Sequence, residues 1–363
     1  MLRGDLGILQ RRPRGLSDPN VRRALEALAT LTLEPHVPEE ALAPFFNVTQ
    51  AVGPSVGVAI NLREELKAEI RLAEPGFAEN LMGNANDFTR WRRRRLFRVR
   101  HDSGDPSPIL IAEGDSWFHF PIFLRDVVIQ LSQDHLVWPL GAAGDTLHHL
   151  VWGADPKTEP RYVQGLAEWG GRARAFLFSG GGNDLIGVEP DGINALTKIL
   201  KTYEPGRSAA WHLDTPEYAR RLVAFEAGYR HILADVGARY PNLPIIIHGY
   251  DYVLPYPFGR RDRRRPRWVG RDAYFGSVFK QRGITEHAVQ AAILHGVVNA
   301  MNTIQRRLAG GNAPGGVFPH VFHVDLRHTL GPHDWADEIH PSNAGYARVA
   351  DRFRTTLRWV GAI

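Results

Sequence analysis

The sequence predicts an α/β domain with a parallel sheet covered by helices on both faces. Short apolar runs alternate with helix-patterned stretches from about residue 109 onward, as strand–helix–strand units require. The strand-like runs are apolar throughout rather than alternately polar, which is the mark of strands buried on both faces. Four of the five runs lead into polar or glycine-rich segments, and in such sheets chemistry is placed beyond the carboxyl ends of the strands.

The elements follow in order. Asp18-Pro19 starts a helix whose apolar stripe is Val21, Leu25, Leu28 and Leu31. Ser55 to Leu62 is a short strand and Arg63 to Ala73 a helix. The turn-rich segment His101 to Pro108 (HDSGDPSP) marks a boundary. It divides an N-terminal extension, residues 1–105, from the main domain, residues 106–363. Strands are expected at Ile109 to Ala112, Leu136 to Leu140, Ala175 to Phe178, Pro244 to His248 and Val321 to Leu326. Helices are expected at Pro121 to Gln133, Pro160 to Trp169, Pro216 to Tyr240, Ile284 to Leu308 and Ser342 to Trp359.

Composition narrows the functions. The 363 residues are 44% hydrophobic, enough for a sizeable core. No apolar run approaches the length of about 18 residues that a membrane helix needs. Residues Met1 to Gln10 show no signal-peptide pattern, so a cytoplasmic location is expected. The chain has no cysteine, which excludes disulfides, thiolate catalysis and Cys-type zinc sites. The net charge of +5 is concentrated in two arginine-rich runs, Arg90 to Arg100 (RWRRRRLFRVR) and Arg260 to Arg267 (RRDRRRPR). These runs suggest an anionic surface or substrate as partner, or else solvated faces and pairing with the chain's own 39 acidic residues. In the first run, Trp91, Leu96, Phe97 and Val99 point to an element packed by its apolar side.

The strand ends carry the candidate chemistry. The first leads into Gly114-Asp115-Ser116-Trp117, the second into Gly141-Ala-Ala-Gly144-Asp145-Thr146, and the third into Gly181-Gly182-Asn183-Asp184; Asp337-Glu-Ile-His340-Pro341 follows the fifth. A serine hydroxyl needs a base to take its proton, and the base needs a third group to orient it. Ser116, His340 and Asp337 have those chemistries, and a spacing of three lets one turn bring the Asp337 carboxylate to the imidazole. An oxyanion needs donors. The backbone N–H groups of Gly144 and Ser116 and the Asn183 amide are candidates.

These four blocks, in this order, resemble the SGNH (GDSL-type) hydrolase superfamily. Its G-D-S block is matched at Gly114 to Ser116, its glycine block at Gly144, its G-x-N-D block at Gly181 to Asp184 and its D-x-x-H block at Asp337 to His340. The resemblance implies a flavodoxin-like three-layer α/β/α sandwich with strand order 2-1-3-4-5, and makes residues 106–363 the hydrolase domain. It also implies a catalytic set of Ser116, Asp337, His340, Gly144 and Asn183, acting as a carboxylic ester hydrolase without cofactor or metal. The chain departs from that pattern in its long N-terminal extension and in its arginine-rich loop Asp251 to Gly283. The expected substrate is an ester of a small molecule, lipid, acylated sugar or polyester. Nucleic acid is not expected. The alternative is a catalytically weak binding protein on the same scaffold, drawn by its arginines to a lipid surface or nucleic acid.

Other assignments compete at single positions. Gly53-Pro54-Ser55-Val56-Gly57 fits a G-x-S-x-G elbow, but a strand-like run follows Ser55 where the elbow needs a helix. Asp334 is a looser partner for His340 than Asp337. His119, His148, His149, His248 and His333 are read as cleft lining or structural groups rather than a metal cluster. Of the aromatics near the site (Trp117, Phe118, Phe120, Tyr250, Tyr252, Tyr256 and Phe258), about half are expected in the core. Asp115 and Asp184 are expected to brace their loops through backbone hydrogen bonds.

Overall fold

In a computed structural model of the chain, the residues described are 19–34, 37–50, 58–64, 66–67, 85–187, 189, 191–256, 264, 266 and 274–363. The N-terminal part runs through α1 (Pro19–Leu33), a 3-10 helix (Glu39–Phe45), strands β1 (Phe46–Gln50) and β2 (Val58–Leu62), and the long helix α2 (Ala85–Asp102). Strands β1 and β2 form an antiparallel pair. Ser55 and most of the expected helix from Arg63 to Ala73 lie outside the described residues.

The main domain then follows: β3 (Ile109–Gly114), α3 (Val127–Leu131), β4 (Leu136–Pro139), α4 (Leu147–Trp152), α5 (Arg161–Trp169), β5 (Ala175–Ser179), α6 (Gly182–Ile186), α7 (Ala195–Ile199), α8 (Ala209–Leu213), α9 (Pro216–Arg239), β6 (Ile245–His248), α10 (Gly276–Gln281), α11 (His287–Leu308), β7 (Val321–Val324) and α12 (Asn343–Trp359). The five strands β4-β3-β5-β6-β7 form one parallel sheet. Counted from β3 this is the order 2-1-3-4-5. Nearly every strand residue is buried, which is why these runs are apolar on both faces. Helices α3 and α12 pack on each other in one layer. In the other, α9 contacts both α4 and α11, and α4 contacts α5.

The chain leaves β3 for β4 and then returns past β3 to β5. The connections after β3 and β5 therefore diverge and leave a crevice at their carboxyl ends, the switch point of a doubly wound sheet. Ser116 lies just past β3 and Asn183 just past β5, on the two walls of that crevice.

One expected helix is shorter than its pattern suggests. Residues 121–126 form a turn and α3 starts only after Asp126, whose carboxylate caps it by accepting the Ile129 N–H at 3.0 Å. Ile122 there takes a positive φ of 71°, a conformation outside the helix that costs energy in a β-branched residue. A tertiary contact compensates, because Glu39 of the extension accepts the Ile122 N–H at 3.4 Å.

The first arginine run is the helix α2, and many of its guanidinium groups are engaged inside the molecule. Arg92 donates to the carbonyls of Thr32 at 3.1 Å and Val37 at 2.7 Å. Arg94 donates to Pro139 O at 3.0 Å and lies over the Trp138 ring. Arg98 pairs with Glu168 at 3.0 Å, and Arg100 holds Asp105 and the Ser132 carbonyl. Phe88, Phe97 and neighbouring apolar residues join the same hydrophobic cluster as the sheet. Of the second run only Arg264 and Pro266 are described.

At the crevice the backbones of β3 and the β4 loop nearly touch. Ala142 N–H donates to Gly114 O at 2.9 Å, and a Cβ at Gly141 would lie well inside van der Waals contact distance of that same oxygen. Backbone cannot yield as a side chain can, so Gly141→Ala is expected to destabilise the fold by about 1–3 kcal/mol, the usual penalty for overpacking, as measured by urea unfolding.

Candidate active site

Three residues far apart in sequence meet beyond β3. His340 Nε2 lies 2.8 Å from Ser116 Oγ, and His340 Nδ1 lies 2.8 Å from Asp337 Oδ2. A carboxylate only accepts, so it fixes the imidazole proton on Nδ1 and leaves Nε2 as the acceptor facing the serine. Ser116, Asp337 and His340 are all buried.

Local backbone explains how Asp337 reaches His340. A tight loop is closed by Ala336 N–H to His340 O at 2.8 Å and Ser342 N–H to Asp334 O at 2.7 Å. Inside it, Asp337 Oδ1 accepts the N–H groups of Ile339 at 2.8 Å and His340 at 2.6 Å. One carboxylate oxygen thus builds the turn while the other orients the ring. Asp334 points elsewhere: it accepts Gly331 N–H at 2.8 Å and faces Arg348.

Ser116 sits in a turn organised by Asp115. Asp115 Oδ1 accepts Trp117 N–H at 3.1 Å and the Ser179 hydroxyl at 3.0 Å, and Oδ2 accepts the hydroxyl of Tyr250 in a very short hydrogen bond. Burial raises the pKa of Asp115, against the pull of these donors. The same Tyr250 oxygen accepts Gly182 N–H at 3.2 Å, so one phenol ties the Ser116 turn to the turn that carries Asn183. Tyr250 adopts a positive φ of 63°, strain of the kind that concentrates where geometry matters.

On the facing wall, Gly181 stands at φ 97° with the Phe225 ring where a side chain would go. That placement starts α6 and buries Asn183, whose Nδ2 donates to Asp145 O at 2.8 Å. Asp184 accepts Leu147 N–H at 2.8 Å, and burial raises its pKa to about 6. Gly144, with φ 87°, occupies the loop between these contacts. Helix α2 holds that loop from outside: Asn86 receives the Ala143 N–H at 2.9 Å and donates to the Ala143 carbonyl at 3.0 Å. Both Asp115 and Asp184 therefore brace loops by accepting backbone hydrogen bonds.

A buried ionic network from the extension supports the segment after Ser116. Arg93 Nε donates to Glu39 at 2.7 Å, and its Nη2 lies 2.8 Å from Asp126. Burial lowers the Arg93 pKa, but the Asp126 and Glu39 carboxylates outweigh it and hold the pKa above its ordinary value. Arg93 Nη1 lies 3.2 Å from His119 Nδ1, and His119 Nε2 lies 2.8 Å from Thr89 Oγ1. Because Arg93 can only donate, the His119 proton sits on Nε2 and is given to Thr89, which passes its own hydrogen bond to Ala85 O at 2.7 Å. His119 is thus a neutral structural link; burial, then Arg93, depress its pKa. Phe120, next in the chain, sets its ring against the His340 imidazole at 4.6 Å.

The remaining histidines divide by burial. His248 is enclosed beside Trp117, Phe118 and Tyr250, and burial lowers its pKa to about 3. His148 and His149 lie on α4, and His333 is exposed. Among the described residues, no three His, Asp or Glu side chains cluster as a metal site would need. Trp117, Phe118, Phe120, Tyr250 and Tyr256 are buried, Tyr252 is half-buried, and Phe258 lies outside the described residues.

Sequence reasoning missed several contributors. Arg93 and Glu39 are 54 residues apart, and nothing local marks them as partners. Glu338 stands inside the D-x-x-H block itself: its carboxylate accepts the N–H groups of Tyr256, Tyr274 and Phe275 at 2.8 to 3.0 Å. An acidic residue within so buried a run was the available signal. Burial raises its pKa to about 8. Arg264 donates to Asp337 O at 2.9 Å, so part of the arginine-rich loop supports the site from behind.

No family model matches the chain, and no curated protein matches it. Among solved structures it is similar to the extracellular lipase of Streptomyces rimosus (11% identity, TM-score 0.40, covering 69% of this chain and 99% of the other). It is similar also to a carbohydrate esterase family 3 protein from Talaromyces cellulolyticus (13% identity, TM-score 0.33, 70% and 99% covered). A third is a salicylyl-acyltransferase from a tetracycline biosynthetic pathway (14% identity, TM-score 0.35, 71% and 56% covered).

Two expectations test the electrostatics. Arg93→Met strands two buried carboxylates and should destabilise the protein by about 3–5 kcal/mol; adding Glu39→Gln should recover part of the loss in urea unfolding. Glu113, buried at the end of β3, has its pKa raised by burial from 4.5 to about 7. Between those pH values the folded state holds a proton that the unfolded chain has lost, so this group's contribution to stability falls as pH rises from 4.5 to 7. Glu113→Gln should flatten that decline in melting temperatures taken across the interval.

Proposed function

We propose that this chain is a serine esterase of the SGNH type, hydrolysing a carboxylic ester through an acyl-enzyme on Ser116. The observation that carries this reading is the unbroken hydrogen-bond series from Asp337 through His340 to Ser116. In the reaction, Ser116 Oγ attacks the ester carbonyl as His340 Nε2 takes its proton. Asp337 holds the imidazole in place and stabilises the positive charge it gains. The oxyanion is met by the Ser116 and Gly144 N–H groups and the second amide hydrogen of Asn183, whose first is used on Asp145 O. His340 then protonates the leaving alcohol, and water, activated by the same base, releases the acyl group.

Burial of the relay supports this reading, since electrostatic interactions gain strength where water is excluded. The alternative of a binding module finds less support, because many arginines of the first run are committed to internal partners.

Ser116→Ala should lower kcat for p-nitrophenyl butyrate by about 10⁴-fold or more while leaving the circular dichroism spectrum unchanged. Asn183→Ala should lower kcat by about 10²–10³-fold. Full activity in the Ser116→Ala protein would overturn the assignment.

A further inference from the structure

A tetrahedral carbon on Ser116 projects three groups besides the serine oxygen. The oxyanion turns toward Asn183 and the Gly144 loop, and the leaving oxygen must lie toward His340, which protonates it. The Phe120 and Tyr274 rings pack against that imidazole. For the third, a small cleft lies beside Ser116, lined by Ser116 and Asn183 together with side chains of α6 and α11. Its volume is about 50 Å³. Its apolar walls include Leu185 and Ile186 on one side and Leu294, Val297, Val298 and Met301 on the other. Most of these are buried at 5% exposure or less, Ile186 being half-buried. Among the described residues that line it, Asp115 is the one carboxylate, and it accepts hydrogen bonds from Tyr250, Ser179 and Trp117.

We infer that this cleft is the acyl site, and that it selects a short, uncharged acyl chain of about two to four carbons. The inference rests on the esterase reading above and assigns its substrate class. A cleft of this volume leaves room for only a few non-hydrogen atoms, since roughly 10–15 Å³ of such space is needed to admit a single water. Each methylene buried there should raise kcat/KM about fourfold until the space is full. A longer chain has to displace close-packed walls, and one surplus methylene in such a pocket is rejected by roughly 10-fold or more. Among the described residues no cationic side chain lines the cleft, so a charged acyl group would be desolvated there without a counter-charge. Esters of acetate, propionate or butyrate are therefore the substrates that fit the cleft, and long-chain acyl groups are expected to be disfavoured.

The test compares p-nitrophenyl acetate, butyrate and octanoate in the wild-type, Met301→Ala and Val298→Leu proteins, each checked for fold by circular dichroism. Wild-type protein should prefer butyrate over octanoate by at least 10-fold in kcat/KM. Met301→Ala, which lengthens the cleft, should narrow that ratio about 10-fold, while Val298→Leu, which fills it, should cut butyrate several-fold more than acetate. Octanoate turned over as well as butyrate, or ratios unmoved by both variants, would overturn the inference. A second arm does not need turnover: binding of butyramide and octanamide to the Ser116→Ala protein, read by saturation-transfer NMR. Butyramide bound in preference to octanamide, and weakened by Val298→Leu, supports the cleft even should no ester be hydrolysed, in which case only the esterase reading fails. Absence of butyramide binding counts against the cleft itself.

Discussion

The hydrogen bond between His340 and Ser116 is the contact around which the rest of the molecule is arranged. It joins residues 224 positions apart, and it has useful geometry only if the turn after β3 and the loop before α12 are both held still. Each is held by a buried carboxylate that accepts hydrogen bonds from the backbone and from side chains. Asp337 does this for His340. Asp115 does it for the serine turn, with Tyr250 as the partner. Buried carboxylates are costly unless every lone pair is used, so these two residues make their loops rigid by the same means that makes their burial tolerable.

Support spreads outward in layers. Behind Asp337, Glu338 gathers three backbone N–H groups from both ends of the arginine-rich loop, and Arg264 reaches the Asp337 carbonyl. Behind the serine turn, Arg93 of the N-terminal extension joins Glu39, Asp126 and His119. The extension is thus built into the wall of the site. Its helix α2 also grips the Gly144 loop through Asn86. Arginines that look in sequence like a basic face prove in large part to be internal connectors, because a guanidinium can satisfy several carbonyl and carboxylate groups at once.

Apolar burial sets the limits of the chemistry. Among the described residues a narrow cleft lies beside Ser116, its apolar wall formed mostly by close-packed side chains of α6 and α11 together with Val253, Phe275 and Ile339. The same burial raises the pKa of Glu113 and Glu338 into the neutral range, so stability near pH 7 depends on groups close to the candidate site.

Much was legible in the sequence because its signals are local. Five apolar runs became the five sheet strands within two residues at each end, and the turn-rich stretch at His101 to Pro108 begins on the last two residues of α2 and runs up to β3. Parallel strands must be apolar on both faces, and the functional runs must follow them, so period and position sufficed. The Asp337–His340 pairing was also local, since it lies within one turn. What sequence could not supply depends on contacts between distant segments. Pro121 to Gln133 carries helical spacing, yet its first half is pulled into a turn by Glu39 and the Asp126 cap. Tyr250 could be noted as an aromatic near the site, but not as the phenol joining Asp115 to Gly182. Arg93 carries no local mark of its partners in the extension and in the segment after Ser116. Residue type and spacing determine which groups can do chemistry; only the tertiary packing decides which of them are brought within 3 Å, desolvated and held there, because those energies arise between segments that the chain order keeps apart.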